Sequence, residues 1–243
     1  MRRACLIVYE VLGELRAAVK PGVTTGELNE KARLLTEKMG ARPAFLNYPA
    51  RTRGVAPFSG VICASVNEEI VHGIPGSRVL VEGDIISIDY GCQIDGFFGD
   101  SAVTVPVGQV SESAAKLLTL TEQSLYEALK QCVAGNRIGD ISHAVQSLVE
   151  PHGLGVVREF VGHGIGRAMH EEPHIPNFGK PGQGRPLRPG MVFAIEPMIT
   201  TGSHDVKVLD DGWTAVTADG SLAAHFEHTV AITENGPLIM TKP

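Results

Sequence analysis

Two aspartates stand inside apolar stretches of the chain, where an unpaired carboxylate costs several kcal/mol. Asp89 lies within a β-branched run, and Asp100 opens a second such run. The turn residues between them, Gly91 and Asp95-Gly96, predict a hairpin that places both carboxylates on neighbouring antiparallel strands. Two carboxylates that close repel each other unless a cation or a shared proton lies between them. For this segment alone, an exposed edge hairpin with solvated acids is the alternative.

The second half of the chain repeats this arrangement. The pattern L-x-x-G-x-x-x-x-I-[D/E] ends at Asp89 and again at Glu196. A second correspondence aligns the strand pattern that opens at Asp100 with the one that opens at Glu227. Four predicted strands therefore present four acids. A duplicated unit with a pseudo-twofold axis would bring these acids face to face at the seam.

Histidines join the acids in the second half. Glycines surround His163 in residues 161–166, a pattern typical of sites where the backbone leaves room for a ligand. His163 therefore offers the nitrogen donor that the acids lack. Because a lone histidine is more often structural than functional, we interpret the following as structural: His143, His152, His174, His204, His225 and His228.

Four carboxylates and one imidazole form an oxygen-rich ligand set, which comprises Asp89, Asp100, His163, Glu196 and Glu227. Such a set can hold two divalent metals about 3.5–4 Å apart, with two of the acids bridging them. The lack of thiolates disfavours a structural zinc site and favours Mn, Fe or Co, although Zn also fits the donors. Two such metals lower the pKa of a bridging water and polarise a carbonyl, so the set predicts a hydrolase.

Helices should flank these strands. Apolar residues at helical spacing and turn residues predict helices over residues 2–20, 24–40, 112–133 and 140–150. Short strands are predicted at 60–66 and 79–80, and a Pro-rich and Arg-rich loop at 41–59 is expected to be functional or disordered.

The helix pairs repeat as the strands do. Residues 22–29 align without gaps with residues 135–142, and chance similarity of common helix patterns is the alternative explanation. We therefore predict an α+β fold of two helix-pair-plus-antiparallel-sheet halves, about residues 1–110 and 111–243, with the metal site at their seam. The whole chain, 1–243, is expected to form a single catalytic domain.

Composition limits the class of protein. The chain has 243 residues, 43% of them hydrophobic, and a net charge of -6. It can bury a large core, and it has no basic stretch that favours a nucleic-acid partner. No apolar run is long enough to span a membrane, and the four scattered cysteines indicate no disulfide framework. A cytoplasmic monomer is the expectation.

Several motifs together are typical of one enzyme family. They are Val71-His72-Gly73-Ile74-Pro75, Ile88-Asp89, Gly99-Asp100, Gly162-His163-Gly164-Ile165-Gly166, His170-Glu171-Glu172-Pro173, Ile195-Glu196-Pro197-Met198 and Phe226-Glu227-His228-Thr229. With them the chain resembles the type I methionine aminopeptidases, which share the pita-bread fold with prolidases and proline-specific aminopeptidases. The resemblance implies the same five metal ligands, with Asp100 and Glu227 bridging two metals. Asp89 would bind one metal, and His163 and Glu196 the other.

The resemblance also implies roles around the metals. His170 would donate a hydrogen bond to the substrate carbonyl oxygen, His72 would contact the scissile amide nitrogen, and Glu196 would act as the general base. The implied methionine slot is formed by Phe58, Cys63 and Trp213, each of which could equally pack a core. Two departures affect the rim of that slot: the loop around Arg51-Thr52-Arg53 is longer than usual, and Met169 replaces an aromatic residue.

The implied reaction is removal of the N-terminal methionine from nascent proteins and peptides when the second residue is small. An Xaa-Pro aminopeptidase and a non-catalytic binding module of the same fold are the alternatives. The implied substrate is an N-terminal peptide, and association with the ribosome is left open. No specific nucleic acid and no membrane are expected as partners.

Overall fold

The computed structural model describes residues 1–50 and 52–243, so Arg51 of the long loop lies outside the described residues. The helices are α1 (Arg2–Ala18), α2 (Thr25–Lys38), α3 (Glu112–Lys130) and α4 (Ile138–Val149), and a 3-10 turn (Glu150–His152) follows α4. The strands of the first half are β1 (Arg42–Pro43), β2 (Cys63–Val66), β3 (Glu69–Val71), β4 (Ile85–Ile94) and β5 (Phe97–Pro106). Those of the second half are β6 (Gly155–Val156), β7 (Gly162–Gly164), β8 (Glu171–Ile175), β9 (Val192–Ile195), β10 (Met198–Thr200), β11 (Val206–Val208), β12 (Ala215–Thr217), β13 (Ala223–His225), β14 (Glu227–Thr233) and β15 (Gly236–Ile239).

One antiparallel sheet, with strands of different lengths, runs through both halves. Within the described residues its strand order is β1-β4-β5-β14-β9-β7-β8, with β2 added beside β4 and β15 beside β14. The predicted hairpin is β4–β5, in register from Ile85 opposite Pro106 to Ile94 opposite Phe97. Strands β5 and β14 join the two halves, with Glu227 opposite Ala102. Two smaller sheets, β13-β10-β6 and β11-β12-β3, flank the main sheet.

Strand alternation separates the core from the site. On β4 the side chains of Ile86, Ile88 and Tyr90 are fully buried in a cluster with helices α1 and α2. On β14, Val230 and Ile232 pack in the corresponding cluster with α3 and α4. Because successive strand residues point to opposite faces, the acids at odd positions of β4 and β14 face away from the helices. Each half is therefore a helix pair packed on one face of a shared sheet.

The two halves have the same local structure at the start of their second helix. In the first half the Glu27 carboxylate accepts a hydrogen bond from the Thr24 backbone N–H, at 2.7 Å. In the second half the Asp140 carboxylate accepts one from the Arg137 N–H, also at 2.7 Å. Thr24 and Arg137 each form an isolated β-bridge to an incoming loop, at Val79 and Pro186 respectively. These equivalences agree with the predicted duplication, and the helix and sheet content confirms the predicted α+β fold.

Some predicted boundaries were wrong. Helix α3 ends at Lys130 rather than 133, because Gln131 and Cys132 donate to the carbonyls three residues before them and tighten the chain into a turn. Helix α4 begins at Ile138, two residues early, because Asp140 is its third residue and caps the helix from inside. Val79 forms only its single bridge rather than a strand.

The loop at 41–59 is ordered where it is described. Its first residues form β1, which pairs with Cys92 and Gln93 of β4. Its two arms are closed by hydrogen bonds from the Asn47 N–H to the Phe58 carbonyl at 2.8 Å and from the Phe58 N–H to the Tyr48 carbonyl at 2.9 Å. These contacts give the described residues of the loop a defined conformation, and the expectation that the loop is functional or disordered stays a prediction.

No helix of the described residues has both the length and the apolar character needed to cross a membrane.

Equivalent glycines at the start of α2 and α4 should be intolerant of a side chain. A Cβ at Gly26 would lie 2.8 Å from the Gly76 carbonyl oxygen, and one at Gly139 would overlap the Lys180 carbonyl oxygen. Because backbone must move to relieve either contact, we expect Gly26→Ala and Gly139→Ala each to lower the free energy of unfolding by about 1–3 kcal/mol, measured by urea denaturation.

Gly13 is the matched control for those two variants. It lies in α1, and a Cβ there would meet nothing within 4 Å. Gly13→Ala should therefore raise stability by about 0.5–1 kcal/mol through helix propensity. Equal effects of all three substitutions would contradict the close approach of loop and helix in the two halves.

Candidate metal centre

The four predicted acids come from four strands whose site-facing positions converge at the seam. Asp89 is on β4, Asp100 on β5 and Glu227 on β14, while Glu196 directly follows β9. Asp100 and Glu227 are almost completely buried, with 3% and 2% of their surface exposed. The structure thus brings together the acids that the two sequence repeats predicted to face each other.

His163 completes the cluster from β7. Its Nε2 lies 3.5 Å from Glu196 Oε1 and 3.8 Å from Asp100 Oδ2. Asp100, His163 and Glu227 each offer a ligand atom within 4.8 Å of the others, a geometry that could hold a metal ion. His163 Nδ1 lies 2.8 Å from the Gly164 carbonyl oxygen, which can only accept. Nδ1 therefore carries the proton and donates it, so the Nε2 lone pair faces the carboxylates.

Several oxygen atoms in this cluster have no partner. Asp89 Oδ1, Asp100 Oδ1 and Glu227 Oε1 are buried without a hydrogen-bond partner among the described residues. Buried polar atoms are almost always satisfied, so unpartnered ones on facing carboxylates indicate a group that belongs between them. Oxygen and imidazole donors with these orphaned atoms fit divalent cations.

The electrostatics of the protein atoms alone give the same indication. Burial first, and then the neighbouring carboxylates Asp100 and Glu196, raise the pKa of Asp89 well above its usual range. The pKa values of Glu196 and Glu227 are raised in the same way, and burial raises that of Asp100 to about 7. Burial, and next the charge of His170, lowers the pKa of His163 to about 4. A neutral imidazole is the metal-binding form, and a divalent cation would offset the carboxylate repulsion.

The glycines around His163 have a different purpose from the one predicted. A Cβ at Gly162 would overlap the Ala194 carbonyl oxygen of β9, and one at Gly164 would lie 2.5 Å from the Glu172 carbonyl oxygen of β8. These glycines let neighbouring strands approach His163 closely. The interpretation that they clear space for a ligand was wrong, although the residue they flank does face the carboxylates.

The two further histidines of the predicted site border the cluster. His170 is exposed, its ring centre lies 4.3 Å from that of His163, and its Nδ1 lies 2.7 Å from the Tyr48 hydroxyl. His72 has a left-handed backbone with φ of 60°, which is rare outside glycine and is often found at functional sites. Its ring makes edge contacts with Phe160 and Trp213, at centroid distances of 5.2 and 6.4 Å.

An apolar cluster adjoins the carboxylates. Cys63 of β2 is directly opposite Asp89 of β4, and Phe58 packs edge-on against Trp213 with ring centres 5.2 Å apart. The three predicted slot residues therefore lie together. Met169, named from the sequence at the rim of the slot, is also in this cluster, whereas sequence reasoning missed the buried Phe45 and Ile165 and the partly buried Tyr48. The aromatic residues of the 41–59 loop were the available signal for Phe45 and Tyr48.

His225, interpreted from the sequence as structural, lies beside the carboxylates. It is 2% exposed, and its Nε2 lies 3.7 Å from Glu196 Oε2 and 4.0 Å from Glu227 Oε2. Burial lowers the pKa of its imidazole to about 3, so the ring is neutral. Sequence spacing offered no signal for this position, because His225 ends β13 and Glu227 begins β14, two strands that belong to different sheets. His228 does face away from the acids, with hydrogen-bond contacts to Tyr126 and Thr241.

Known enzymes are similar to this protein over nearly the whole length of its chain. Residues 1–234 match the profile of metallopeptidase family M24. Methionine aminopeptidase 1 of Bacillus subtilis (strain 168) is 52% identical over 242 residues, which cover 100% of this chain and 95% of the relative. The crystal structure of methionine aminopeptidase from Thermotoga maritima superposes with a TM-score of 0.96 at 45% identity, covering 100% of this chain and 95% of that one.

A more distant structural likeness concerns the fold alone. Prolidase from Pyrococcus furiosus has a TM-score of 0.77 at 20% identity, and the match covers 100% of this chain and 63% of the prolidase. Together with the Thermotoga maritima structure, this likeness confirms the predicted pita-bread fold. A profile match over nearly every residue, and half-identical relatives of almost equal length, lead to one conclusion: the chain belongs to metallopeptidase family M24.

Proposed function

We propose that the protein is a methionyl aminopeptidase, which hydrolyses the first peptide bond of nascent proteins and peptides that begin with methionine and have a small second residue. The observation that carries this proposal is the set of buried, unpartnered carboxylate oxygens beside His163, which adjoins an apolar cluster. The close relatives named methionine aminopeptidase support it along the full length of the chain.

The residues that would hold the metals are the five predicted from the sequence: Asp89, Asp100, His163, Glu196 and Glu227. Two divalent cations, Co, Mn or Fe, suit this set, and Zn also fits it. When bound, such metals polarise the substrate carbonyl and lower the pKa of the attacking water. Asp100 and Glu227 lie on the two strands that join the halves, a position that suits bridging ligands.

Glu196 is the candidate general base. Among the four predicted acids, Glu196 is the one that lies just beyond the end of a strand. Its side chain is 13% exposed, compared with 5% for Asp100 and 2% for Glu227. A base must reach both the attacking water and the leaving group, and the partly open position of Glu196 permits this. Its carboxylate would accept the proton of the water and deliver it to the leaving amine nitrogen.

His170 and His72 would orient the substrate. The Tyr48 hydroxyl at His170 Nδ1 fixes the ring, so that the opposite nitrogen can donate to the carbonyl oxygen as negative charge develops there. His72 lies beside Trp213 at the edge of the apolar cluster, where it can contact the scissile amide nitrogen. Both roles act on the peptide itself.

The apolar cluster would bind the methionine side chain. Phe58 and Trp213 offer ring edges, against which a thioether packs favourably. Burial, followed by the nearby charges of Asp89 and Asp100, raises the pKa of the Cys63 thiol well above its usual range. Cys63 therefore stays uncharged and keeps the slot apolar.

We place this activity in a single catalytic domain over residues 1–243, acting as a cytoplasmic monomer on nascent chains as they leave the ribosome. The seam between the halves is the reason for treating them as one domain. Strands β5 and β14 pair across it, and each half supplies two of the four acids.

Turnover of two short peptides tests the reaction. Metal-free protein supplied with Co, Mn or Fe should release methionine from Met-Ala-Ser and leave Ala-Pro-Ala intact, as measured by chromatography of the products. Asp100→Asn should abolish release, because the variant removes a carboxylate that faces the other acids and His163.

The other outcomes of that assay are informative as well. Cleavage of Ala-Pro-Ala in preference to Met-Ala-Ser would reassign the protein to the proline-specific branch of the fold. Metal binding without turnover of either peptide would favour the non-catalytic module.

His170→Ala tests transition-state stabilisation. If His170 donates to the developing oxyanion, the variant should lower kcat by about 10²–10³-fold and change KM much less. The matched control is His143→Ala, which removes an exposed histidine of helix α4. Equal losses in kcat and in affinity, or the same loss in the control, would count against the role.

Metal loading should stabilise the wild type and not the Asp100→Asn variant. At 100 times Kd, one bound cation adds about 2.7 kcal/mol, which raises Tm by roughly 5–11 °C for a chain of this size. Without metal the order should reverse, because Asn removes a buried negative charge that faces Asp89 and Glu227. Calorimetry of chelated and loaded samples measures both differences, and a metal-free variant less stable than wild type would contradict the repulsion.

A further inference from the structure

His225 ends strand β13 on the side of the carboxylates, and nothing among the described residues satisfies its Nε2. It is the second imidazole that faces the acids, since His163 approaches them from β7. His225 is almost completely buried, with 2% of its surface exposed. A buried nitrogen without a partner, directed at charged oxygens, needs a physical explanation.

The distances exclude a direct hydrogen bond and fit a shared cation. His225 Nε2 lies 3.7 Å from Glu196 Oε2 and 4.0 Å from Glu227 Oε2, both beyond hydrogen-bond range. Nitrogen and oxygen donors bound to one ion at about 2.0–2.2 Å each can lie no more than about 4.3 Å apart. The two distances from His163 Nε2, 3.5 Å to Glu196 and 3.8 Å to Asp100, obey the same limit.

The backbone of His225 is held firmly in this position. Thr104 Oγ1 accepts a hydrogen bond from the His225 N–H and donates one to the His225 carbonyl, both at 2.8 Å. On the other side His225 is paired with Met198 of β10, close in sequence to Glu196. The backbone that carries the ring is thus positioned by contacts from both halves of the chain, as a ligand with defined geometry requires.

Glu196 lies between the two imidazoles, with Oε1 nearest to His163 and Oε2 nearest to His225. We propose that His225 is an additional metal ligand, whose Nε2 binds a divalent cation together with Glu196 and Glu227. This inference rests on the proposed function, because it concerns the same metal centre. With His225, the metal centre would comprise two imidazoles and four carboxylates.

A second imidazole changes which metal the centre prefers. Imidazole suits Co, Fe and Zn, whereas Mn favours oxygen ligands. Losing His225 should therefore weaken Co and Zn binding more than Mn binding. This difference between metals separates a ligand from a residue that only packs, because a packing defect would weaken all metals alike.

The experiment titrates metal-free protein with Co, Zn or Mn in a calorimeter and records the visible absorption of the Co-loaded form. His225→Gln is the test variant, since it keeps a polar side chain of similar length. His228→Gln is the matched control, because His228 is also next to Glu227 but faces Tyr126 and Thr241. We expect His225→Gln to weaken Co and Zn binding at one site by about 10–100-fold, with a changed Co spectrum.

Mn binding should fall less than Co and Zn binding, and His228→Gln should resemble the wild type in all three titrations. Wild-type affinities and an unaltered Co spectrum in His225→Gln would overturn the inference and leave the proposed function intact. Equal losses of affinity for all three metals in His225→Gln, with the same losses in His228→Gln, would also overturn the inference and leave the proposed function intact. Wild-type protein that binds none of the metals would overturn the proposed function itself.

Discussion

Burial of four carboxylates at one seam is the constraint on which the rest of this structure depends. Burial raises the pKa of Asp89, Asp100, Glu196 and Glu227, and repulsion from neighbouring carboxylates raises it further at Asp89, Glu196 and Glu227. A fold carries such a cluster only if something offsets the cost, and divalent cations do so most directly. The unpartnered oxygens show that the protein atoms alone do not satisfy it. Stability and chemistry are therefore coupled at the same atoms.

Strand periodicity makes this arrangement compatible with a well-packed core. On β4 the even-numbered residues Ile86 and Ile88 are buried against the first helix pair, and Asp89 points the other way. Strand β14 does the same, with Val230 facing the second helix pair and Glu227 facing the seam. Because each half packs its own core, the shared face between them is free to carry polar groups. Duplication of one unit explains why both halves follow this rule.

The two halves are not equivalent in what they add to the acids. The first half contributes Phe58 and Cys63 of the apolar cluster, whereas the second contributes the imidazoles of His163 and His225. The carboxylates thus adjoin both an apolar cluster and two imidazoles. Under the proposed function, this arrangement would orient a peptide with its side chain against the apolar cluster and its carbonyl beside the carboxylates. Trp213, from the second half, closes the slot against Phe58.

The sequence by itself determined the elements, the duplication and the acids, because these follow from local periodicity and from patterns that recur along the chain. It misplaced helix ends such as Lys130, where a few turn hydrogen bonds decide the boundary. Only the tertiary structure decided that the glycines beside His163 serve strand packing, and that His225 faces the acids. Both facts depend on which strands become neighbours across the seam. Pairing between residues far apart in sequence leaves no local pattern, so spacing alone could not reveal it.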